Sequence, residues 1–271
     1  MPQTSARRWL PDPVIWACRA DARPELNDYN FLHRCSRPRR SVPVASGHDR
    51  STVEQSATIG GLPVRTHDHM CLLYRGDEQR DELMVAFLAE GVRAGDRCYC
   101  MIAPDNARRI ATAVSDRTEQ AAAGVTFEGL GRLEFIGPDG SHVRGGEFVS
   151  DRMLEFWEDW GTTTYERDGV AYARIIADMS WAKPLVDAPG FVMDLARYET
   201  RFTLWARRHP QVTGCMYDLD RFDGDVIVPI VRAHPRVWMN GVVLTNPYFM
   251  ESEHFSAAEA NELIGDAAAP R

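Results

Sequence analysis

From residue 67 onward, short apolar runs alternate with stretches whose apolar residues return every three or four positions. That alternation constrains the fold more than any other feature of the chain. An apolar run of four to eight residues bounded by turns suits a strand buried on both faces. The runs at 70–74, 97–103, 132–136, 170–177 and 212–219 predict strands, and 237–244 predicts a final strand or hairpin. Between them, 77–93 carries Leu83, Met84, Phe87, Leu88 and Val92 on one helical face, and Pro104 opens a helix to about residue 114, since proline is tolerated in a first turn. Residues 147–165 carry Phe148, Met153, Phe156, Trp157 and Trp160. Residues 191–207 carry Leu195, Tyr198, Phe202 and Trp205, and 225–233 carries Val228 and Val231. Strands alternating with helices give an α/β fold, a mostly parallel sheet flanked by helices on both faces.

The first 60 residues differ. Prolines at 2, 11, 13, 24, 38 and 43 interrupt every apolar run, Ser, Thr and Gln dominate 41–58, and nine arginines face six acids. We read residues 1–60 as a disordered N-terminal extension, 61–255 as one α/β domain, and 256–271 as a short tail helix and disordered end, the helix opened by the capping box Ser256-x-x-Glu259. The remaining 211 residues carry 22 basic and 33 acidic side chains, an acidic body that argues against direct nucleic-acid binding. No window reaches the ~18 apolar residues of a membrane span. The stretch 9–18 is broken by Pro11, Asp12 and Pro13, so no export signal is expected. Cysteines 18, 35, 71, 98, 100 and 215 form no regular framework and read as reduced thiols of a cytoplasmic protein.

Of 31 basic residues, thirty are arginine, and the lone lysine is Lys183 in Trp181-Ala182-Lys183-Pro184. A phosphate-binding loop needs Gly-Lys-Ser/Thr after a glycine-rich turn, and kinase chemistry needs a strand lysine. Both are excluded, and Schiff-base chemistry is left with one residue beside a proline.

The densest group of reactive side chains is His67-Asp68-His69-Met70-Cys71-Leu72-Leu73-Tyr74. In an extended segment His67, His69 and Cys71 share a face, and imidazoles with a thiolate are a partial ligand set for zinc or another borderline metal. Cys98 and Cys100 share a face of the next strand with Tyr99 opposite, and Cys215 lies on a later one. Free buried cysteines equally serve as small apolar side chains. Asp178, Asp218 and Asp220 fall at strand carboxyl ends, where they can bind a cation, act as bases or cap the helices that follow. Gly129-Leu130-Gly131 reads as a turn, and the aromatics read as core with a few walling a small apolar pocket.

Taken in order, His69-x-Cys71-x-x-Tyr74, Gly91 and Gly95, Cys98-Tyr99, Asp178-Met179-Ser180-Trp181, Tyr198-Glu199, Cys215-x-Tyr217-Asp218, His234-Pro235 and Asn246-Pro247-Tyr248 give a pattern that resembles the MEDS family, the methanogen/methylotroph sensory domains. The resemblance covers about residues 65–250. It implies a RecA/KaiC-like frame without Walker motifs and a role in sensing small organic molecules, simple hydrocarbon derivatives among them. It also implies ligand contacts from His69, Cys71, Tyr74, Asp178, Trp181, Glu199, Tyr217 and His234. Family members join this domain to a helix-turn-helix or a kinase-type ATPase. Residues 1–60 are too broken by proline for the first, and 25 residues follow Asn246. The expectation is therefore a stand-alone sensor acting through a protein partner: a kinase, an anti-sigma factor or a transcription regulator. Two other readings stay open. One is a metal-dependent enzyme with His69 and Cys71 as ligands and Asp178 or Glu199 as base. The other is a RecA-like relic that binds nucleotide without hydrolysing it.

Overall fold

The computed structural model describes residues 57–121 and 132–252. The tail capping box, the Gly129–Gly131 turn and most of the extension lie outside them. In chain order come β1 (Ala57–Ile59), β2 (Leu62–Val64), β3 (His69–Tyr74), α1 (Gly76–Ala94), β4 (Arg97–Met101), α2 (Pro104–Ala121), β5 (Leu133–Ile136), α3 (Ser150–Gly161), β6 (Ala173–Asp178), α4 (Phe191–Ala206), β7 (Gln211–Asp218), α5 (Gly224–Arg232), β8 (Arg236–Met239) and β9 (Val242–Thr245). Seven strands form one sheet in the order β5-β4-β6-β7-β3-β8-β9, all parallel except β9. This is the expected mixed α/β sheet, and its order is compatible with a RecA/KaiC-like frame.

The three central strands β3, β6 and β7 are buried along their whole length, which is why their sequences run apolar instead of alternating. Each strand sends alternate side chains to two cores. On one side Met70, Leu72, Cys98, Cys100 and Ile176 pack beneath α1 and α2. On the other Cys71, Leu73, Tyr99, Ile175 and Tyr217 pack beneath α3, α4 and α5. Cys98 and Cys100 thus share a face with Tyr99 opposite, as period-2 geometry requires.

Several details depart from the expected element bounds. The hairpin β1–β2 turns on Gly60 and Gly61, both at positive φ, and buries Ala57 and Ile59 in the α1 core, so residues 57–60 of the segment read as extension are part of a hairpin. The helix expected from residue 147 starts at Ser150, and a π-helical turn at Thr162–Arg167 extends it. Of its two expected forms the final run takes the hairpin, β8–β9, closed by Asn240 and Gly241 at positive φ, as a two-residue hairpin turn demands. Only Arg75 separates β3 from α1. The position where a RecA-like frame would carry its phosphate loop is therefore a one-residue connection followed by Asp77 and Glu78 in the first helical turn.

Candidate functional site

The apolar face of α4 contains one acid, Glu199, flanked along the helix by Leu195 and Phe202 at helical spacing, and it is completely buried. Four groups from other elements meet it. Tyr217 on β7 donates its hydroxyl to Glu199 Oε1 at 2.6 Å. Glu199 Oε2 lies 3.3 Å from His69 Nε2 on β3, 3.6 Å from His234 Nε2 after α5, and 3.6 Å from Cys215 Sγ on β7. His69 Nε2 also lies 3.3 Å from Cys215 Sγ. The four groups of His69, Glu199, Cys215 and His234 are all within 4.8 Å of one another.

Hydrogen bonds settle which ring nitrogen faces inward. Thr203 Oγ1 donates to the Glu199 carbonyl one turn back at 3.1 Å, so its oxygen accepts from His69 Nδ1 at 2.8 Å. His234 Nδ1 donates to the Ile230 carbonyl at 2.8 Å. Both Nε2 atoms therefore turn lone pairs toward Glu199. Burial holds His69 down to about 3 and His234 to about 4, the latter with a contribution from His69 beside it. At neutral pH both rings are uncharged, and their contacts with Glu199 are not ion pairs despite the spacing. Burial, reinforced by Glu199, pushes the thiols of Cys71 and Cys215 well up, so both are protonated in the absence of a cation.

Aromatic side chains close around this polar group. Phe202 sets its ring against His69 at 4.8 Å, and Trp157 on α3 donates Nε1 to the Tyr198 hydroxyl at 2.8 Å. Trp181 stacks on His142 at 4.6 Å and 22°, with Phe148 beside it at 5.4 Å. Burial lowers His142 to about 4.

The expected ligand contacts thus divide. His69, Glu199, Tyr217 and His234 converge, with Cys71 on the same sheet face and Trp181 on that side through His142. Tyr74 and Asp178 do not join them, because Tyr74 points into the other core. There Asp178 accepts from Ser180 N at 3.0 Å, Ser180 Oγ at 2.6 Å, Tyr74 Oη at 3.3 Å and Arg80 Nη1 at 3.4 Å. It caps the 3-10 turn Met179–Leu185. Asp218 accepts from Gly76 N and Asp220 N, holding the start of α1. His67 precedes β3, is exposed, and faces the His209 carbonyl at 2.6 Å, so of the expected metal trio only His69 enters the cluster. Lys183 is exposed on the 3-10 turn. Sequence reasoning did not place Cys215 among the contacts, although Cys215-x-Tyr217 puts both residues on one strand face. It also passed over Thr203, four residues from Glu199 on α4. His142 sits in a glycine-rich loop, where no periodicity marks it. Asn246 donates Nδ2 to the Val231 and His234 carbonyls at 2.7 and 2.9 Å and so fixes the backbone that carries His234. A surface concavity lined by Pro63, Arg65, Arg236 and Val243 lies at the hairpin edge and holds none of these groups.

The sequence matches, over residues 68–235, the family model described as "MEDS: MEthanogen/methylotroph, DcmR Sensory domain". That span runs from just before β3 to just before β8 and includes every member of the cluster. The transcriptional repressor DcmR of Methylorubrum extorquens is 23% identical over 247 residues, which cover 86% of this chain and 84% of that protein.

Proposed function

This chain belongs to the MEDS family, and on that premise we propose that it senses a small organic molecule at the polar cluster beneath α4 and passes the signal to transcription through a regulatory partner. The observation that carries the reading is the cluster itself. Two uncharged imidazoles, a carboxylate, thiols and two tyrosines are buried together inside an aromatic shell. Burying polar groups is costly, and a fold that needed only a core would place apolar residues there; such perturbed groups gather at functional sites. An aromatic shell with a few convergent polar atoms suits a small, weakly polar hydrocarbon derivative. The output follows if the molecule binds one arrangement of α4 against the sheet better than another, and a partner reads the shifted population. The similarity to a transcriptional repressor over most of that protein's length supports transcription as the process controlled.

A thermal-shift series on the full chain, in sealed vessels, tests this with halogenated methanes and one-carbon alcohols and amines. A ligand at a hundredfold its Kd stabilises by about 2.7 kcal/mol. The expected result is a saturable rise in Tm with at least one of these compounds, abolished in Trp181→Ala. Stabilisation by nucleotides alone, with the organic compounds inert, overturns it.

A further inference from the structure

We propose that His69, Glu199, Cys215 and His234 form a closed four-coordinate site for a divalent borderline metal, with zinc as the ion that fits. The inference goes beyond the sensory reading and stands without it: with the four inner donors on the metal, the organic molecule of that reading has the aromatic shell of Trp181, Phe148 and Tyr198 to lie against.

The first argument is a shortage of protons. With Glu199 as a carboxylate, three acceptors face one another: His69 Nε2, His234 Nε2 and Glu199 Oε2. The Tyr217 proton is committed to Glu199 Oε1, and the hydrogen bonds among these groups supply one more, from the Cys215 thiol to Glu199 Oε2. His234 Nε2 is left fully buried with no hydrogen-bond partner. Other buried polar atoms of the chain also lack a partner, but His234 Nε2 is one that faces further acceptors, and converging lone pairs repel unless a cation lies among them.

The second argument is spacing. Metal–nitrogen and metal–oxygen bonds of about 2.0–2.2 Å and a metal–sulfur bond of about 2.3 Å place tetrahedral ligand atoms roughly 3.3–3.6 Å apart. Four of the six separations among these atoms, 3.3, 3.3, 3.6 and 3.6 Å, match that tetrahedral edge, and all six lie within 4.8 Å, so the metal would draw His234 inward.

The third argument is the support around the ligands. Each imidazole is oriented through its other nitrogen, His69 by Thr203 and His234 by the Ile230 carbonyl, and the carboxylate by Tyr217. Outer-shell bonds of this kind orient metal ligands. Imidazole, thiolate and carboxylate together select zinc or a neighbouring borderline ion over magnesium or calcium.

On binding, the Cys215 S–H bond breaks, sulfur keeps the electron pair as it bonds the metal, and one proton leaves to solvent. Thiolate and carboxylate then balance the two positive charges of the ion. Four protein donors fill a tetrahedral shell, so the ion ties β3, α4, β7 and the α5–β8 junction together and leaves no open position for metal catalysis.

The test uses the full chain stripped with a chelator, then titrated with zinc or with cobalt(II) as a spectroscopic substitute, while circular dichroism monitors the fold. The expected result is one ion per chain. The cobalt form should show the visible bands of a four-coordinate site and a thiolate-to-cobalt charge-transfer band. Cys215→Ser should lose the charge-transfer band, and Tyr217→Phe should weaken zinc affinity about tenfold. Cys100→Ser, in the opposite core, should match the parent chain. A folded chain that takes up no stoichiometric metal overturns the proposal, as does an unchanged charge-transfer band in Cys215→Ser. If Cys215→Ser does not fold, Tyr217→Phe decides: an unaltered affinity overturns it. No organic ligand enters this experiment, so a chain that binds zinc but ignores small molecules removes the sensory reading and leaves this one standing.

Discussion

Arg174, on β6, is 2% exposed, and a buried charge survives only if its neighbours answer it. Its Nε donates to Asp96 Oδ2 at 2.7 Å, its Nη2 to Glu90 Oε1 at 3.3 Å, and its Nη1 to the Phe87 carbonyl at 3.5 Å. Replacing it leaves Asp96 buried and unpaired. Arg174→Met is therefore expected to cost about 3–5 kcal/mol in urea unfolding, with part recovered when Asp96→Asn is added. His142 makes a different prediction. The unfolded chain takes up a proton at this residue near pH 6.5 and the folded one near 4, so acid favours the unfolded form. Stability is complete above about pH 6.5 and falls on the way down to about 4, by roughly 3 kcal/mol from this residue alone. His142→Phe keeps a ring against Trp181 and should flatten that slope. An identical pH profile in the variant would refute the assignment. Asp178 shows the same dependence on neighbours: of the roles open to a carboxylate at a strand end, cation ligand, base or cap, its bonds to Ser180 N and Oγ supply the cap.

At the scale of elements, two glycines of the family pattern acquire separate reasons. Gly95 ends α1 at φ 79°, the left-handed conformation of a helix C-cap. Gly91, inside the same helix, lets α1 approach the sheet: a Cβ there would lie 2.5 Å from Cys98 Sγ and 2.7 Å from Arg174 Cδ. Gly91→Ala gains about 1 kcal/mol of helix propensity, but the clash outweighs it. A net loss of about 1–2 kcal/mol is expected from denaturant melts. Existence and type of nearly every element from β3 to β9 were legible, since runs such as Ala173–Asp178 and faces such as that of α4 carry unmistakable periods. The β1–β2 hairpin was not, because three-residue strands are too short to show one. Pairing order was also hidden, since no local pattern says that β4 lies beside β6 and β3 beside β8.

At the scale of the whole molecule, the one-residue connection between β3 and α1 bears on what the frame can bind. Helix N-termini attract phosphate through free backbone N–H groups, but here the first turn carries Asp77 and Glu78, and the Gly76 N–H is taken by Asp218. Millimolar ATP with magnesium is expected to leave Tm unchanged, and a saturable shift would restore the nucleotide-binding reading. The described residues contain no helix long and apolar enough to cross a membrane. What the sequence determined by itself was the α/β class, the exclusion of phosphate-loop chemistry by a lone lysine, and the candidacy of His69, Glu199, Tyr217 and His234. The first two follow from periodicity and residue type, which are local, as does the prominence of His69; Glu199, Tyr217 and His234 became candidates only through the resemblance to the family pattern. Only the tertiary structure decided that Tyr74 packs in the opposite core with Asp178 hydrogen-bonded to it, and that Cys215 lies against His69 while His67 is exposed. Side-chain direction alternates along a strand, but which partners wait on each face depends on crossovers of more than a hundred residues.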